Sequence, residues 1–188
     1  YNSRAQLYYE QKNYALADAD YQKMIAMDQG DVMGYMGIGR NANAQERWDD
    51  AISQFNHVIK LAPDYSSGYS FRADSYIGKK MWTEATDDII KALDIDGDNK
   101  AFYLMQTLSK DASELLKSKL KIQMTKQSTN RYWPYCLAVL ANSNNDFDES
   151  ISYYQKANAL DANSLFLENI AKCYMNKEDY ISALDYAE

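Results

Sequence analysis

The residues that could support catalysis are few: one histidine, His57, and two cysteines, Cys136 and Cys173. A Ser-His-Asp or Cys-His catalytic group would have to use His57, but the helical pattern described below places that side chain on an outward face. The cysteines fall on first helices of that pattern, where a free thiol usually belongs to the core or lines a groove. Neither has the paired C-x-x-C spacing of a zinc site. The sequence therefore predicts no enzyme and no cofactor.

An acidic run, Asp94-x-Asp96-x-Asp98, has the spacing with which a calcium-binding loop begins. Gly97 stands at the fourth place of that loop rather than the sixth. Met105 occupies the twelfth place, where a calcium loop carries glutamate. We therefore predict that the run is a solvated helix end and that the chain has no metal site.

A local basic patch contains Lys110, Lys117, Lys119, Lys121 and Lys126. The chain as a whole is acidic, with a formal net charge of −7 at pH 7, whereas nucleic-acid-binding proteins normally present a basic face. We predict a solvated helix face, with an acidic partner or a lipid headgroup as the alternative, and no binding of nucleic acid. No stretch approaches 18 consecutive apolar residues, so the sequence predicts no membrane span.

A repeat of 34 residues organises the chain, because Tyr14, Trp48 and Trp82 are spaced by 34 and 34. Other sets of residues keep the same step: Ala17, Ala51 and Ala85; Tyr21, Phe55 and Ile89; Ala5, Gly39 and Ala73; Met27, Leu61 and Ile95. Phe147 and Tyr180 continue the first set after one repeat has lost three residues. Independent columns in one register indicate a helical-repeat protein.

We divide the chain into a single array of six repeats: 1–31, 32–65, 66–99, 100–130, 131–163 and 164–188. The fourth repeat is degenerate, since its alanine and aromatic columns are missing, and the sixth stops inside its second helix. Each repeat has the apolar spacing of two helices joined by a short polar turn. In the fourth repeat, Leu116, Leu120 and Met124 favour a helix over a strand. Asp64, Asp98 and Asn163 are candidate N-caps.

The second repeat reads Tyr35-x2-Ile38-Gly39, then Trp48-x2-Ala51-x3-Phe55-x2-Val58-x4-Pro63, and this pattern resembles the tetratricopeptide repeat. The resemblance covers the whole chain, although the other repeats match less fully. It implies an all-α fold, a right-handed α-solenoid of stacked antiparallel helix pairs. The first helix of each pair would line a concave groove that binds a peptide or protein segment.

The family's groove positions, transferred repeat by repeat, give a largely apolar lining. The candidate binding residues are Met33, Met36, Arg40, Phe71, Asp74, Leu104, Met105, Leu108, Tyr132, Tyr135 and Lys172. Family members that clamp the C-terminal carboxylate of heat-shock chaperones use lysine, asparagine and arginine here. Phe71 stands where such a clamp needs an asparagine or arginine. We therefore predict a scaffold for a protein or peptide partner other than a chaperone tail.

Two other functions fit the same residues. The array could self-associate or brace another domain, because the stretch 101–108 is apolar on nearly all sides and must be buried by something. The groove could also hold a small ligand or a glycan. The expected location is soluble, either cytoplasmic or periplasmic. The chain begins within a repeat, so a leader peptide could precede it.

Overall fold

The computed structural model describes residues 1–186, and this part of the chain consists of α-helices joined by short turns. The helices are α1 (Asn2–Glu10), α2 (Tyr14–Met27), α3 (Val32–Ala44), α4 (Trp48–Leu61), α5 (Ser66–Gly78), α6 (Trp82–Asp96), α7 (Asn99–Thr107), α8 (Lys110–Lys126), α9 (Tyr132–Ser143), α10 (Phe147–Leu160), α11 (Ser164–Asn176) and α12 (Tyr180–Leu184). The predicted class, an all-α solenoid of antiparallel helix pairs, is confirmed.

Two compact units make up the structure: an N-terminal unit, Tyr1–Leu104, and a C-terminal unit, Met105–Glu188. In the N-terminal unit each helix from α1 to α5 packs on the next, and α3 also contacts both α1 and α5. The three odd-numbered helices therefore form one continuous face. In the C-terminal unit, α8 packs on α9, α9 on α10, α10 on α11 and α11 on α12. A single array of six repeats stays a prediction.

Small residues at the repeated alanine column allow the helices to approach closely. Ala17, Ala51 and Ala85 are fully buried. Phe55 lies one turn after Ala51 in α4 and is fully buried as well. Gly39 in α3 faces this ring: a Cβ there would stand 2.5 Å from Phe55 Cε1. Glycine at position 39 thus leaves the Phe55 ring the room that a larger residue would fill.

Most turns inside the helix pairs share one backbone feature. In five of these turns a residue other than glycine has φ between 57° and 61°: Lys12, Glu46, Lys80, Asn145 and Glu178. The next residue returns its N–H to the carbonyl five positions back, as Arg47 does to Ala42 at 2.9 Å. This is the Schellman ending of a helix, which usually carries glycine at the left-handed position. The repeated turn is therefore built with local strain.

We expect this strain to make glycine substitutions at two neighbouring positions of the first turn differ in their effect on stability. Lys12 (φ 58°) and Gln11 (φ −78°) are both exposed. Glycine costs about 0.5–1 kcal/mol of backbone entropy at either position, but at Lys12 it also relieves a left-handed strain of about 1 kcal/mol. Lys12→Gly should therefore be about 1 kcal/mol more stable than Gln11→Gly in urea unfolding. Equal stabilities would contradict the assigned backbone conformation.

Two of the three predicted N-caps are confirmed. The Asp98 carboxylate accepts a backbone N–H of α7 at 2.9 Å, and the Asn163 side chain accepts one of α11 at 2.9 Å. Asp64 was the wrong residue: α5 begins after Tyr65, so Asp64 lies one position before the cap. The acidic run is a helix end, as predicted, because α6 stops at Asp96 and Gly97 adopts the left-handed conformation.

The second half of the degenerate fourth repeat is the helix α8, as the spacing predicted. Leu116 and Leu120 are fully buried. Residues four positions apart lie side by side on one face of a helix, so their joint burial fits a helix. The α9 helix beside it is buried along most of its length, from Trp133 to Ala141. The core of the C-terminal unit therefore lies around α9.

Two ion pairs of arginine with a buried aspartate, both in the N-terminal unit, were missed by the sequence analysis. Arg4 binds both carboxylate oxygens of Asp20, at 2.6 and 2.7 Å, and Arg72 binds both of Asp88 at 2.7 Å. Each arginine precedes its aspartate by 16 residues, and the pairs lie two repeats apart. Burial raises the pKa of Asp88 even though Arg72 opposes the shift. Such a pair adds little net stability, because the cost of desolvating the charges offsets their attraction.

Candidate functional site

A groove opens between α1 and α3 in the N-terminal unit. This α1–α3 groove has a volume of about 440 Å³ and is lined by Asn2, Ser3, Gln6, Leu7, Tyr21, Met33, Met36, Gly37 and Arg40. Leu7 and Met33 are 57% and 44% exposed, so both present apolar surface to solvent. Met36 and Tyr21 are buried beneath them. The groove thus combines an apolar floor, exposed apolar side chains and a small number of polar groups.

Arg40 occupies a distinctive position in this groove. Its guanidinium carbon lies 4.9 Å from the ring centre of Tyr9 in α1 and 5.6 Å from that of Phe71 in α5. These distances are within the range of cation–π attraction. Arg40 therefore connects the three first helices of the N-terminal unit through aromatic contacts.

Phe71 and Asp74 continue the same face toward α7. The Lys100 Nζ atom lies 4.7 Å from the Phe71 ring centre and 2.8 Å from an oxygen of Asp74. Phe71 also packs beside Phe55, with ring centres 5.9 Å apart, and is half-buried. The structure therefore brings five predicted residues onto one face: Met33, Met36, Arg40, Phe71 and Asp74.

The predicted residues of α7 and the segment after it are mostly packed inside. Leu104 and Met105 are buried, and Leu108 is half-buried. Buried side chains offer no accessible surface to a ligand, so Leu104 and Met105 act in packing in this conformation. The apolar stretch 101–108 is buried on one side only, because Tyr103 is exposed.

In the C-terminal unit, the predicted residue Tyr135 lies in a cluster of aromatic side chains. Tyr135 is half-buried, with ring centres 5.5 Å from Phe166, 6.2 Å from Tyr154 and 6.2 Å from Tyr132. This cluster joins α9, α10 and α11, and burial raises the pKa of the Tyr135 hydroxyl. Lys172 is exposed on α11. Tyr135 is therefore at least partly a packing residue.

Sequence reasoning missed the contribution of α1 to the groove. Asn2 and Gln6 stand 34 residues before Met36 and Arg40, so the repeat itself could have identified them. Leu7 and Tyr9 lie on the same helix. Lys100 was also missed, because its role depends on contacts with Phe71 and Asp74 that no spacing rule specifies.

The side chains with catalytic potential are not assembled. His57 is exposed and stacks on Tyr35, with ring centres 5.0 Å apart. Cys136 and Cys173 are buried, as predicted. Burial raises the pKa of Cys136 to about 12 and raises that of Cys173 as well, so both thiols are protonated and weakly nucleophilic at neutral pH.

The lysine patch of α8 is partly neutralised by the neighbouring helix. Lys117 and Lys121 both form ion pairs with Glu149 of α10. Lys110 and Lys126 are exposed to solvent.

Within residues 1–186, no group of three or more His, Cys, Asp or Glu side chains is placed to hold a metal ion. Over the same residues, no helix has the length and apolar character needed to cross a membrane.

Helix pairs with small and aromatic residues in fixed columns define a helical-repeat protein of the α-solenoid class. The tetratricopeptide repeat model matches residues 1–31 and 135–164. These matches and the helical fold support a tetratricopeptide repeat protein. Proteins of this family generally mediate protein–protein interactions and are generally non-enzymatic scaffolds.

Among known proteins, the chain is similar to heat shock protein STI1 of Saccharomyces cerevisiae (strain ATCC 204508 / S288c). The two are 27% identical over 102 residues, which cover 50% of this chain and 17% of STI1. The chain thus spans less than a fifth of that relative's length.

Two solved structures share its fold. PilW, a type IV pilus biogenesis factor, is 16% identical with a TM-score of 0.56, covering 98% of this chain and 88% of PilW. PilF of Pseudomonas aeruginosa is 12% identical with a TM-score of 0.55, covering 98% and 86%. At these identities the likeness concerns the fold alone.

Proposed function

We propose that this chain is a non-enzymatic binding protein that holds a segment of a partner protein in the α1–α3 groove. The observation that carries the proposal is the groove of about 440 Å³ with the exposed side chains of Leu7 and Met33 on it. Binding sites in proteins commonly have this size, an apolar lining and a few polar groups that fix orientation. An exposed apolar surface of this kind favours a partner over water.

Different residues of the groove would make apolar and polar contacts with the bound segment. Leu7 and Met33 would contact apolar side chains of the segment, and the unbranched methionine can adapt to different shapes. The amides of Asn2 and Gln6 would pair with the backbone of the segment, since an amide both donates and accepts hydrogen bonds. Phe71 and Asp74 would extend the contact along the face. Tyr132, Tyr135 and Lys172 are proposed as a separate contact surface on the C-terminal unit.

A selection of peptides tests this proposal without knowledge of the natural partner. Random 12-residue peptides would be displayed on phage, each attached to the coat protein through its C terminus. Peptides that bind the purified wild-type chain would then be selected. The affinity of an enriched peptide would then be measured by fluorescence anisotropy. Light scattering on the same sample would determine whether the chain is monomeric while it binds.

The combined substitution Leu7→Ser/Met33→Ser should weaken binding of the enriched peptide by about tenfold or more, because it removes the central apolar contacts. Both side chains are exposed, so the helical content should remain. The matched control is Leu16→Ser/Leu61→Ser, which removes apolar side chains that are 45% and 43% exposed on the second helices α2 and α4. If the two combined variants bind equally well, the α1–α3 groove is not the binding surface.

A further inference from the structure

The α1–α3 groove contains a cation, Arg40, that has no hydrogen-bond or ion-pair partner among residues 1–186. Among residues 1–186, Arg40 makes no hydrogen bond and no ion pair, and its Nε atom is buried with no acceptor. Its contacts are with the rings of Tyr9 and Phe71. Aromatic rings can hold a guanidinium in place but supply no hydrogen-bond acceptor, so its donors stay unsatisfied by the protein.

Other arginines of the chain show the contrast. Arg4 and Arg72 each bind an aspartate with two hydrogen bonds, and Arg131 pairs with Asp161. A buried donor left without an acceptor costs free energy, more so for a charged group. Arg40 is therefore the position at which an external acceptor would gain most.

The charge of the groove is opposite to that of the chain. The chain carries 27 acidic and 20 basic residues, yet no aspartate or glutamate lines the groove. Asp74, the carboxylate further along the same face, is already paired with Lys100. An acidic group entering the groove would therefore meet Arg40 without competing with a carboxylate of the lining.

We propose that the occupant of the α1–α3 groove is a peptide segment with an internal aspartate or glutamate next to a leucine, methionine or phenylalanine. This inference rests on the proposed function above. The carboxylate accepts hydrogen bonds from the Arg40 guanidinium, a pairing that is charge-assisted and geometrically specific. The neighbouring apolar side chain packs on Leu7 and Met33.

The test uses the peptide selection described above. Peptides enriched on the wild-type chain should carry Asp or Glu beside an apolar residue more than about twice as often as the starting library. For one such peptide with blocked ends, exchange of its acidic residue for the matching amide should weaken binding by about tenfold. This comparison uses only the wild-type chain, so it does not depend on how a variant folds. A version with a free C-terminal carboxylate and no internal acid should bind no better than the amide.

Arg40→Met keeps an unbranched apolar side chain between Tyr9 and Phe71 but removes the charge. It should bind the acidic peptide and its amide equally, whereas Arg131→Met, a control in the C-terminal unit, should keep the preference. Enriched peptides without an excess of acid, or an acidic preference that persists in Arg40→Met, would overturn this inference and leave the binding groove intact. No enrichment at all on the wild-type chain would overturn the proposed function itself.

Discussion

Replacing Ala51 by glutamate should abolish cooperative folding of the N-terminal unit. Ala51 is fully buried, and its cluster contains the apolar residues Met36, Ala42, Phe55 and Val58. A glutamate there would either carry an unpaired charge or be protonated at a large cost. When one partner of a buried ion pair is removed, the uncompensated charge that remains costs about 3–5 kcal/mol, and an unpaired glutamate at this position should cost a similar amount. Domains are stable by only about 5–15 kcal/mol in total, so most of the margin would be lost.

The measurement is urea unfolding followed by circular dichroism, with Ser53→Glu as the control. Ser53 lies in the same helix, α4, and is exposed, so the same new charge meets water there. Ser53→Glu should change the free energy of unfolding by about 0.5 kcal/mol or less. Ala51→Glu with a midpoint equal to that of the control would show that α4 is rotated relative to the repeat register.

Gly39→Ala should destabilise the chain by about 1 kcal/mol, although alanine is the better helix former. In a helix interior alanine is favoured over glycine by about 1 kcal/mol. At Gly39, however, the added Cβ would lie 2.5, 2.8 and 3.0 Å from three atoms of the Phe55 ring. That ring is fully buried and cannot move into solvent. Overpacking a core costs about 1–3 kcal/mol, so the steric term exceeds the helix preference.

A second substitution shows whether the contact with Phe55 is the cause. The next repeat carries Ala73 and Ile89 at the equivalent positions. Phe55→Ile should therefore make Gly39→Ala less costly, and the double variant should be more stable than the sum of the single effects. Gly30→Ala is the control, because a Cβ there meets only the flexible Asp28 side chain, at 3.2 Å. Additive effects of Gly39→Ala and Phe55→Ile would contradict this explanation.

The helices and their packing could be predicted from the sequence because they depend on residue size at fixed spacing. A small residue at the position of Ala51 and a large apolar residue at that of Phe55 must recur every 34 residues if each pair of helices is to pack on the next. Both columns are visible in the sequence. The cap at Asp64 was wrong because helix ends vary by a residue or two between repeats. The buried pair of Arg72 and Asp88 was missed because the second repeat has neither residue.

The site could be predicted only in part. Met33 and Met36 are one turn apart and both follow the family's groove positions, but one is exposed and the other buried. Burial depends on the exact neighbours of each position, here Tyr21 and Gly37, rather than on the period. The surroundings of Arg40 depend on Tyr9 and Phe71, each 31 residues away, a spacing that differs from the repeat by nearly one helical turn.

The central claim is that a partner segment binds on the first helices of the N-terminal unit, and amide chemical-shift mapping tests it most directly. The ¹⁵N-labelled chain would be titrated with a peptide enriched in the selection. The account predicts that the largest shifts fall on α1 and α3, around Leu7, Met33 and Arg40, with smaller shifts near Phe71. Largest shifts on the second helices α2 and α4, or on α9 to α11 of the C-terminal unit, would contradict it.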